Sequence, residues 1–277
     1  MSNQLYPCLW LNGRLKEATE FYCALFPNST IHAQNDIITK FEIEGTTLKL
    51  LNGGALFKMN PSISLFVKHD SKEEIEKLCN TLLEGGKAMI PLGSYPWCEK
   101  YAWVEDKFGM TWQLFWGERA PSEQKIIPSF LFTKEMFGKA NEAMQFYTRI
   151  FSAGKIISEA FYMEGEGQPV GSLKFGSFEL NGAQFAAMDG PGEHAFGFNE
   201  GVSLVVECKD QSEIDHYWNA LSEGGYEGQC GWLKDPYGVS WQIIPVQLNE
   251  LMRNPVTAEK ARTAFMKMRK FIIEDLY

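Results

Sequence analysis

Residues 103–116 read WVEDKFGMTWQLFW, and residues 232–245 read WLKDPYGVSWQIIP. Each is a run ending in Asp, a turn closed by Gly, and a second run built on Trp-Gln. The match continues outward from this pair. SLFVKHDSKEEIEKLCNTLLEGG (64–86) is echoed by SLVVECKDQSEIDHYWNALSEGG (203–225). Further back, YPCLWL and EATEFYCALFPNSTI (6–11, 17–31) are echoed by IPSFLF and NEAMQFYTRIFSAGKI (127–132, 141–156). A repeat of this length decides the architecture before any single residue does. The offset between matched residues is 125 at Phe21/Phe146, 139 at Ser64/Ser203 and 129 at Trp112/Trp241. The second copy therefore carries extra residues around 155–200 and the first around 87–101, where loops are expected to absorb them.

Periodicity divides each copy further. Residues 7–11 read as a strand, and Ala18, Phe21, Tyr22, Leu25 and Phe26 are spaced as one face of a helix that Pro27-Asn28 ends. Strands follow at 31–33, 37–43 and 46–51, with Glu44-Gly45 as a tight turn, then a strand at 63–67. Ser71 with Glu74 three residues on is a capping box for a helix that closes at Gly85-Gly86. The second copy is expected to follow with strand 128–132, helix 139–151, strands near 156–162, 170–176, 178–187 and 202–206, helix 211–223 and hairpin 231–245. The fold class is α+β, with four β-α-β-β-β modules in tandem. The expected domains are 1–120, 126–248 and a helical tail at 249–277. Pro255 suits the start of the tail helix, and Ala258, Ala261, Phe265, Met268 and Ile272 would form its apolar stripe.

Composition narrows the function classes. The chain has 277 residues, 45% hydrophobic and 22% charged, with a net charge of −9. Nucleic-acid binding calls for a basic face to neutralise phosphates, and no such stripe is present. No apolar run approaches about 18 residues and no stretch reads as a signal peptide, so no membrane partner is expected. The six cysteines contain no C-x-x-C and several lie in apolar runs, as expected of a reducing cytoplasm. Aromatic residues reach 14%, with 8 Trp and 20 Phe, enough to line a cavity for a flat or apolar ligand.

The opening P-x-L-x-L-x-G…EATEFY…LFPNS, the middle SLxV…EI…LxxGG and the close W-x-x-D-x-x-G-x-x-W-Q resemble the PhnB-like family. That family, often labelled 3-demethylubiquinone methyltransferase-like, falls within the vicinal oxygen chelate superfamily of glyoxalase I, bleomycin-resistance proteins and extradiol dioxygenases. The resemblance covers residues 5–247 and implies curved sheets with helices outside. Single-domain relatives pair by dimerising, so the duplication implies the same pairing within one chain, and a homodimer of the whole chain is equally compatible. Methyl transfer has little support from the residues. A methyl-donor site is expected at a Gly-rich turn between strand and helix, whereas GEGQPVG and DGPGEHAFGFNEG both fall between strands.

In metal-dependent members of the superfamily, strands one, four, five and eight supply His, Glu or Gln to a divalent ion. The matching positions are Pro7, a residue near Lys49, Ser64 and Gln113 in the first copy, and Pro128, a residue near Ala186, Ser203 and Gln242 in the second. One neutral amide per set does not hold a catalytic ion. No cofactor is therefore expected, and a divalent metal is the alternative. His32, His69, His194 and His216 share no matched position.

Side chains alternate along a strand. If Gln113 points into a cup, so do Thr111 and Phe115; Gln242, Ser240 and Ile244 follow the same rule. The candidate ligand-binding residues are Ser64, Trp103, Thr111, Gln113, Phe115, His194, Ser203, Trp232, Ser240 and Gln242. His194 enters because its Gly-rich loop is long enough to fold over a cavity mouth. Asp106 and Asp235, in D-x-x-G, are expected to bond local backbone N–H groups. No Ser-His-Asp or Cys-His arrangement can be assembled, and no catalytic residue is assigned. The expected function is binding of a small apolar or aromatic molecule without a catalytic metal. The alternatives are a metal-dependent lyase, isomerase or dioxygenase, a structural or interaction role for the duplicated fold, and methyl transfer.

Overall fold

A computed structural model describes residues 5–120 and 123–277. The first module is β1 (Leu5–Leu11), α1 (Leu15–Leu25), β2 (Ser29–Gln34), β3 (Ile38–Ile43) and β4 (Thr46–Asn52). The second is β5 (Ile63–His69), α2 (Lys72–Leu82), β6 (Lys87–Tyr95), β7 (Cys98–Glu105) and β8 (Thr111–Trp116). The third is β9 (Ile126–Phe132), α3 (Ala140–Ile150), β10 (Lys155–Phe161), β11 (Leu173–Leu180) and β12 (Ala183–Asp189). The fourth is β13 (Val202–Cys208), α4 (Gln211–Ser222), β14 (Tyr226–Glu227), β15 (Trp232–Lys234) and β16 (Ser240–Pro245). The tail adds α5 (Gln247–Arg253), α6 (Pro255–Phe265) and a 3-10 turn at Ile273–Leu276. No described helix is long and apolar enough to cross a membrane.

Local chemistry sets these boundaries. Ser71 Oγ accepts from the Glu74 amide at the start of α2, and Asp210 caps α4 by accepting from the Glu213 amide. Glu44-Gly45 and Asn181-Gly182 both have positive φ at two successive residues, the geometry that joins adjacent strands tightly. The second of these corrects the expected break near residue 177. Asn-Gly at 181–182 is the stronger turn signal, and it moves β11 and β12 toward the C-terminus. Three further expectations change. The extra residues at 87–101 include a nine-residue strand, β6, whose ladder to β7 is broken by irregularities, whereas its counterpart β14 has two residues. The tail is two helices, not one, because the chain breaks at Asn254 before Pro255, whose ring cannot continue a helix. Finally, Ile272 is exposed, and Phe271 is the buried anchor beside it.

The sheets are built across the two copies. One has strand order β14-β15-β16-β13-β1-β4-β3-β2, joining modules four and one through the antiparallel β13–β1 pair. It is called sheet A here. The other, sheet B, runs β10-β11-β12-β9-β5-β8-β7-β6, joining modules three and two through β9–β5. Each sequence repeat therefore contributes four strands to each sheet.

The helix faces, by contrast, are assembled within each copy. Tyr22 and Phe26 of α1 meet Trp112 of β8, and Tyr147 and Phe151 of α3 meet Trp241 of β16. Asp106 lies at the centre of the first core. Its carboxylate accepts from Tyr22 Oη (2.9 Å), Trp112 Nε1 (2.8 Å) and the amides of Phe108 and Met110. Asp235 does the same with Tyr147 Oη (2.7 Å), Trp241 Nε1 (2.8 Å) and the amides of Tyr237 and Val239. The local backbone bonds are those expected of D-x-x-G; the bonds to the helix and the tryptophan are additional.

Candidate functional site

The face of each sheet opposite the helices, called inner here, carries the candidate residues. Alternation along β8 and β16 holds: Trp112 and Trp241 are in the helix-side cores, so Thr111, Gln113 and Phe115, and Ser240, Gln242 and Ile244, face inward. Strand pairing then defines one row of residues straight across each sheet. In sheet B it runs Ser177 (β11), Ala186 (β12), Ser129 (β9), Ser64 (β5), Thr111 (β8) and Glu105 (β7). In sheet A it runs Lys40 (β3), Lys49 (β4), Cys8 (β1), Ser203 (β13), Ser240 (β16) and Lys234 (β15).

These rows correct the strand-one assignments by one residue. Pro7 pairs with Leu204 and Pro128 with Leu65, on the helix faces; the inward positions are Cys8 and Ser129. A one-residue slip in a strand exchanges the faces. The four matched positions thus form two sets, each drawn from both copies: Cys8, Lys49, Ser203 and Gln242 in sheet A, and Ser129, Ala186, Ser64 and Gln113 in sheet B. Neither set contains an imidazole or a carboxylate. Among the described residues no group of three or more His, Cys, Asp or Glu is placed to share an ion.

Both glutamines are anchored. Gln113 Nε2 donates to Ser64 Oγ at 2.7 Å, and Gln113 Oε1 accepts from Tyr101 Oη at 2.8 Å. Burial pushes the Tyr101 hydroxyl well above its usual range, so it stays a donor. Gln242 Nε2 donates to Ser203 Oγ at 2.9 Å, while its carbonyl oxygen faces Lys49 Nζ at 3.4 Å. Three buried polar atoms of sheet B have no hydrogen-bond partner among the described residues: Trp103 Nε1, Thr111 Oγ1 and Ser129 Oγ. All three face inward, because Trp103 pairs with Gln113, and Ser129 and Thr111 flank Ser64. Around them stand the half-buried rings of Phe66, Phe115 and Phe175, with Phe66 5.6 Å from Phe115 and 5.9 Å from Phe175.

The remaining candidates are placed differently. Trp232 faces inward on sheet A, paired with Gln242, its ring 6.0 Å from Trp10. His194 keeps to its own loop, with Nε2 3.2 Å from the Pro191 carbonyl and its ring on Phe196. Tyr101, Cys8, Ser129 and Lys40 were not singled out by sequence. The strand-one residues needed only the correct register, and Tyr101, two residues from Trp103 on the same face of β7 and paired with Phe115, reaches Gln113 as its diagonal neighbour.

Two clefts lie apart from the unpartnered atoms. One of about 710 Å³ beside α1 is bordered by Arg14, Lys16, Glu17 and Glu20. The other, of about 280 Å³, lies near the turns at Gly45 and Gly182. None of the buried unpartnered atoms belongs to either lining.

A family model described as 3-demethylubiquinone-9 3-methyltransferase matches residues 3–115 and again 124–244. Among solved structures, the PhnB protein from Bacillus cereus shares 30% identity, covering 40% of this chain and 98% of its own, with a TM-score of 0.39. Glyoxalase I from Zea mays, 11% identical, covers 91% of this chain and 97% of its own, with a TM-score of 0.61. No curated protein matches the chain.

Proposed function

The chain belongs to the 3-demethylubiquinone-9 3-methyltransferase family, the PhnB-like branch of the vicinal oxygen chelate superfamily, and from that premise we propose that it binds a small neutral aromatic molecule on the inner face of sheet B without a catalytic metal. The observation that carries this reading is the set of three unpartnered buried polar atoms among phenylalanines. A buried hydroxyl or indole N–H left without a partner is costly, and a ligand carrying one or two polar atoms removes that cost while its ring covers Phe66, Phe115 and Phe175. Gln113, held from both sides by Ser64 and Tyr101, gives the floor a fixed orientation.

The metal-free part rests on donor chemistry. Serine, alanine, cysteine, a lysine and one amide per set do not fit a divalent ion, which is held by imidazoles, carboxylates or several thiolates. Methyl transfer, which the family description names, gains nothing from the two Gly-rich stretches. They lie between β10 and β11 and between β12 and β13, not at a strand-to-helix turn.

The test is a titration with phenol, 1-naphthol and hydroquinone, followed by tryptophan fluorescence and thermal stability. Elemental analysis of protein purified without chelator or affinity metal accompanies it. Saturable binding to the wild type that weakens about threefold to tenfold in Ser129→Ala, whose hydroxyl bonds nothing in the protein, is expected, on the scale of one lost hydrogen bond. No response to any of the three would sink the ligand reading, and stoichiometric metal would sink the metal-free one. Calorimetric binding of S-adenosylmethionine would favour methyl transfer instead.

A further inference from the structure

Sheets A and B have the same strand order and equivalent rows, yet the rows differ in charge. Sheet B places Ser177, Ala186, Ser129, Ser64 and Thr111 where sheet A places Lys40, Lys49, Cys8, Ser203 and Ser240. At the sixth position sheet B has Glu105 and sheet A has Lys234. Three lysines therefore share one row of sheet A.

Two of the three are neutralised. Lys40 Nζ lies 2.8 Å from Glu207 Oε1, which also accepts from Tyr6 Oη at 2.6 Å and faces Asn249 of α5 at 3.4 Å. Lys234 Nζ lies 3.0 Å from Glu200. Glu42, the other carboxylate on this face, stands 3.8 Å from His32. Lys49 has no carboxylate within 4.0 Å among the described residues, and its one hydrogen bond is the long contact to the Gln242 carbonyl oxygen. The neighbouring thiol does not supply the charge. Burial pushes Cys8 up in pKa more strongly than Lys49, Gln242 and Ser203 pull it down, so it remains a neutral thiol.

A second, independent feature points to the same place. Ser240, 1% exposed, is two positions along the row from Cys8, and its Oγ has no hydrogen-bond partner among the described residues. A half-buried ammonium lacking a counter-charge and a buried hydroxyl lacking a partner thus share one inner face. Two residues beyond Cys8 on the same strand face, Trp10 is fixed by its Nε1 bond to the Gly54 carbonyl at 2.8 Å and meets Trp232 edge to face. We propose that the inner face of sheet A is a second site, for a small carboxylate with a flat apolar body, whose charged end is held by Lys49 and Ser240 and whose body lies against Trp10 and Trp232. The site does not depend on the one assigned to sheet B. The two faces of one duplicated fold differ in the charge of the ligand they take.

Benzoate, phenylacetate and 1-naphthoate, each with its primary amide as the neutral analogue, are titrated into the full chain and into Lys49→Met, with tryptophan fluorescence and thermal shift as readouts. The carboxylates are expected to bind the wild type about tenfold or more tighter than their amides, and to lose about tenfold to about a hundredfold in Lys49→Met, the scale of a hydrogen bond to a charged group. Ser240→Ala removes a hydroxyl that bonds nothing in the protein, so it keeps the fold; it is expected to weaken the carboxylates about threefold to tenfold. It is also the variant to rely on if Lys49→Met does not fold. Three results would each overturn the site: no carboxylate binds, amides bind as tightly as acids, or the folded variants bind like the wild type. The phenol titration in Lys49→Met keeps the two sites separate. An unchanged response there with a lost carboxylate response supports sheet A alone, and failure of the phenols leaves the carboxylate result standing.

Discussion

At the scale of single residues, the most consequential groups outside the sites are the twin aspartates. Asp235 receives four hydrogen bonds, yet burial pushes its carboxyl up to about 6 against their pull; Asp106 is shifted in the same direction. An unfolded aspartate titrates at about 3.9. Between those values the folded state holds the proton more tightly. The stability this group adds is full below about pH 4 and is lost as pH rises through about 6. On the order of 3 kcal/mol is at stake for a change of this size. Urea unfolding of wild type and Asp235→Asn from pH 4 to 7 should therefore give a stability difference that shrinks as pH rises; a difference flat with pH would count against the raised value. A second residue-scale prediction concerns Thr111, whose hydroxyl is buried without a partner. Thr111→Val should leave the ligand-free protein as stable, or up to about 1 kcal/mol more stable, while weakening phenol binding. Marked destabilisation would mean that the hydroxyl is already satisfied.

At the scale of elements, the tail and the first strands matter most. The tail is tied to module four rather than laid loosely over it. Gly231 and Cys230 donate to the carbonyls of Arg269 and Met268, and Gln211 of α4 bonds the backbone at Phe271 and Ile273. Phe271 fills the space beside Gly231, where a Cβ would come within 2.6 Å of its ring. Phe271→Ala should cost about 3 kcal/mol, read as a shift in urea midpoint at constant slope; a loss below about 1 kcal/mol would show that the tail contributes little. The first strands show why part of the site could not be read in advance. The run at 6–11 is apolar on both faces apart from its tyrosine, so alternation does not reveal which residues face inward. Only pairing of Cys8 with Lys49 on one side and Ser203 on the other settles that register. On β8 and β16 the alternation of Trp and Gln was informative, and the inward positions of Gln113, Gln242 and their neighbours were legible.

At the scale of the molecule, each copy encloses its own helix-side core while its strands pair only with those of the other copy at β1–β13 and β5–β9. A fragment of residues 1–120 would therefore keep the core around Asp106 but expose the edges of β1 and β5. Unpaired edges of this kind are templates for another chain. Because β5 is the counterpart of β13, and β1 that of β9, two such fragments can pair β1 with β5 twice. The fragment is expected to be a dimer by sedimentation, with a concentration-dependent melting temperature. A stable monomer would mean that the edges are closed in some other way.

The sequence by itself determined the α+β class, the duplication, the four modules, the family, and the polar floor of each inner face. These follow from repeat, period and turn chemistry, which are local and survive without knowledge of distant partners. Which module pairs with which, and which residue of β1 and β9 faces inward, were decided only by the tertiary structure. Strand pairing is a contact between residues up to about two hundred positions apart, here Leu5 with Val206, and nothing local encodes the choice among four similar modules. The same pairing sets Lys49 beside Cys8 and opposite a glutamine from the other copy. In sequence it is an ordinary strand lysine; on the assembled sheet it is a cation in need of an anion.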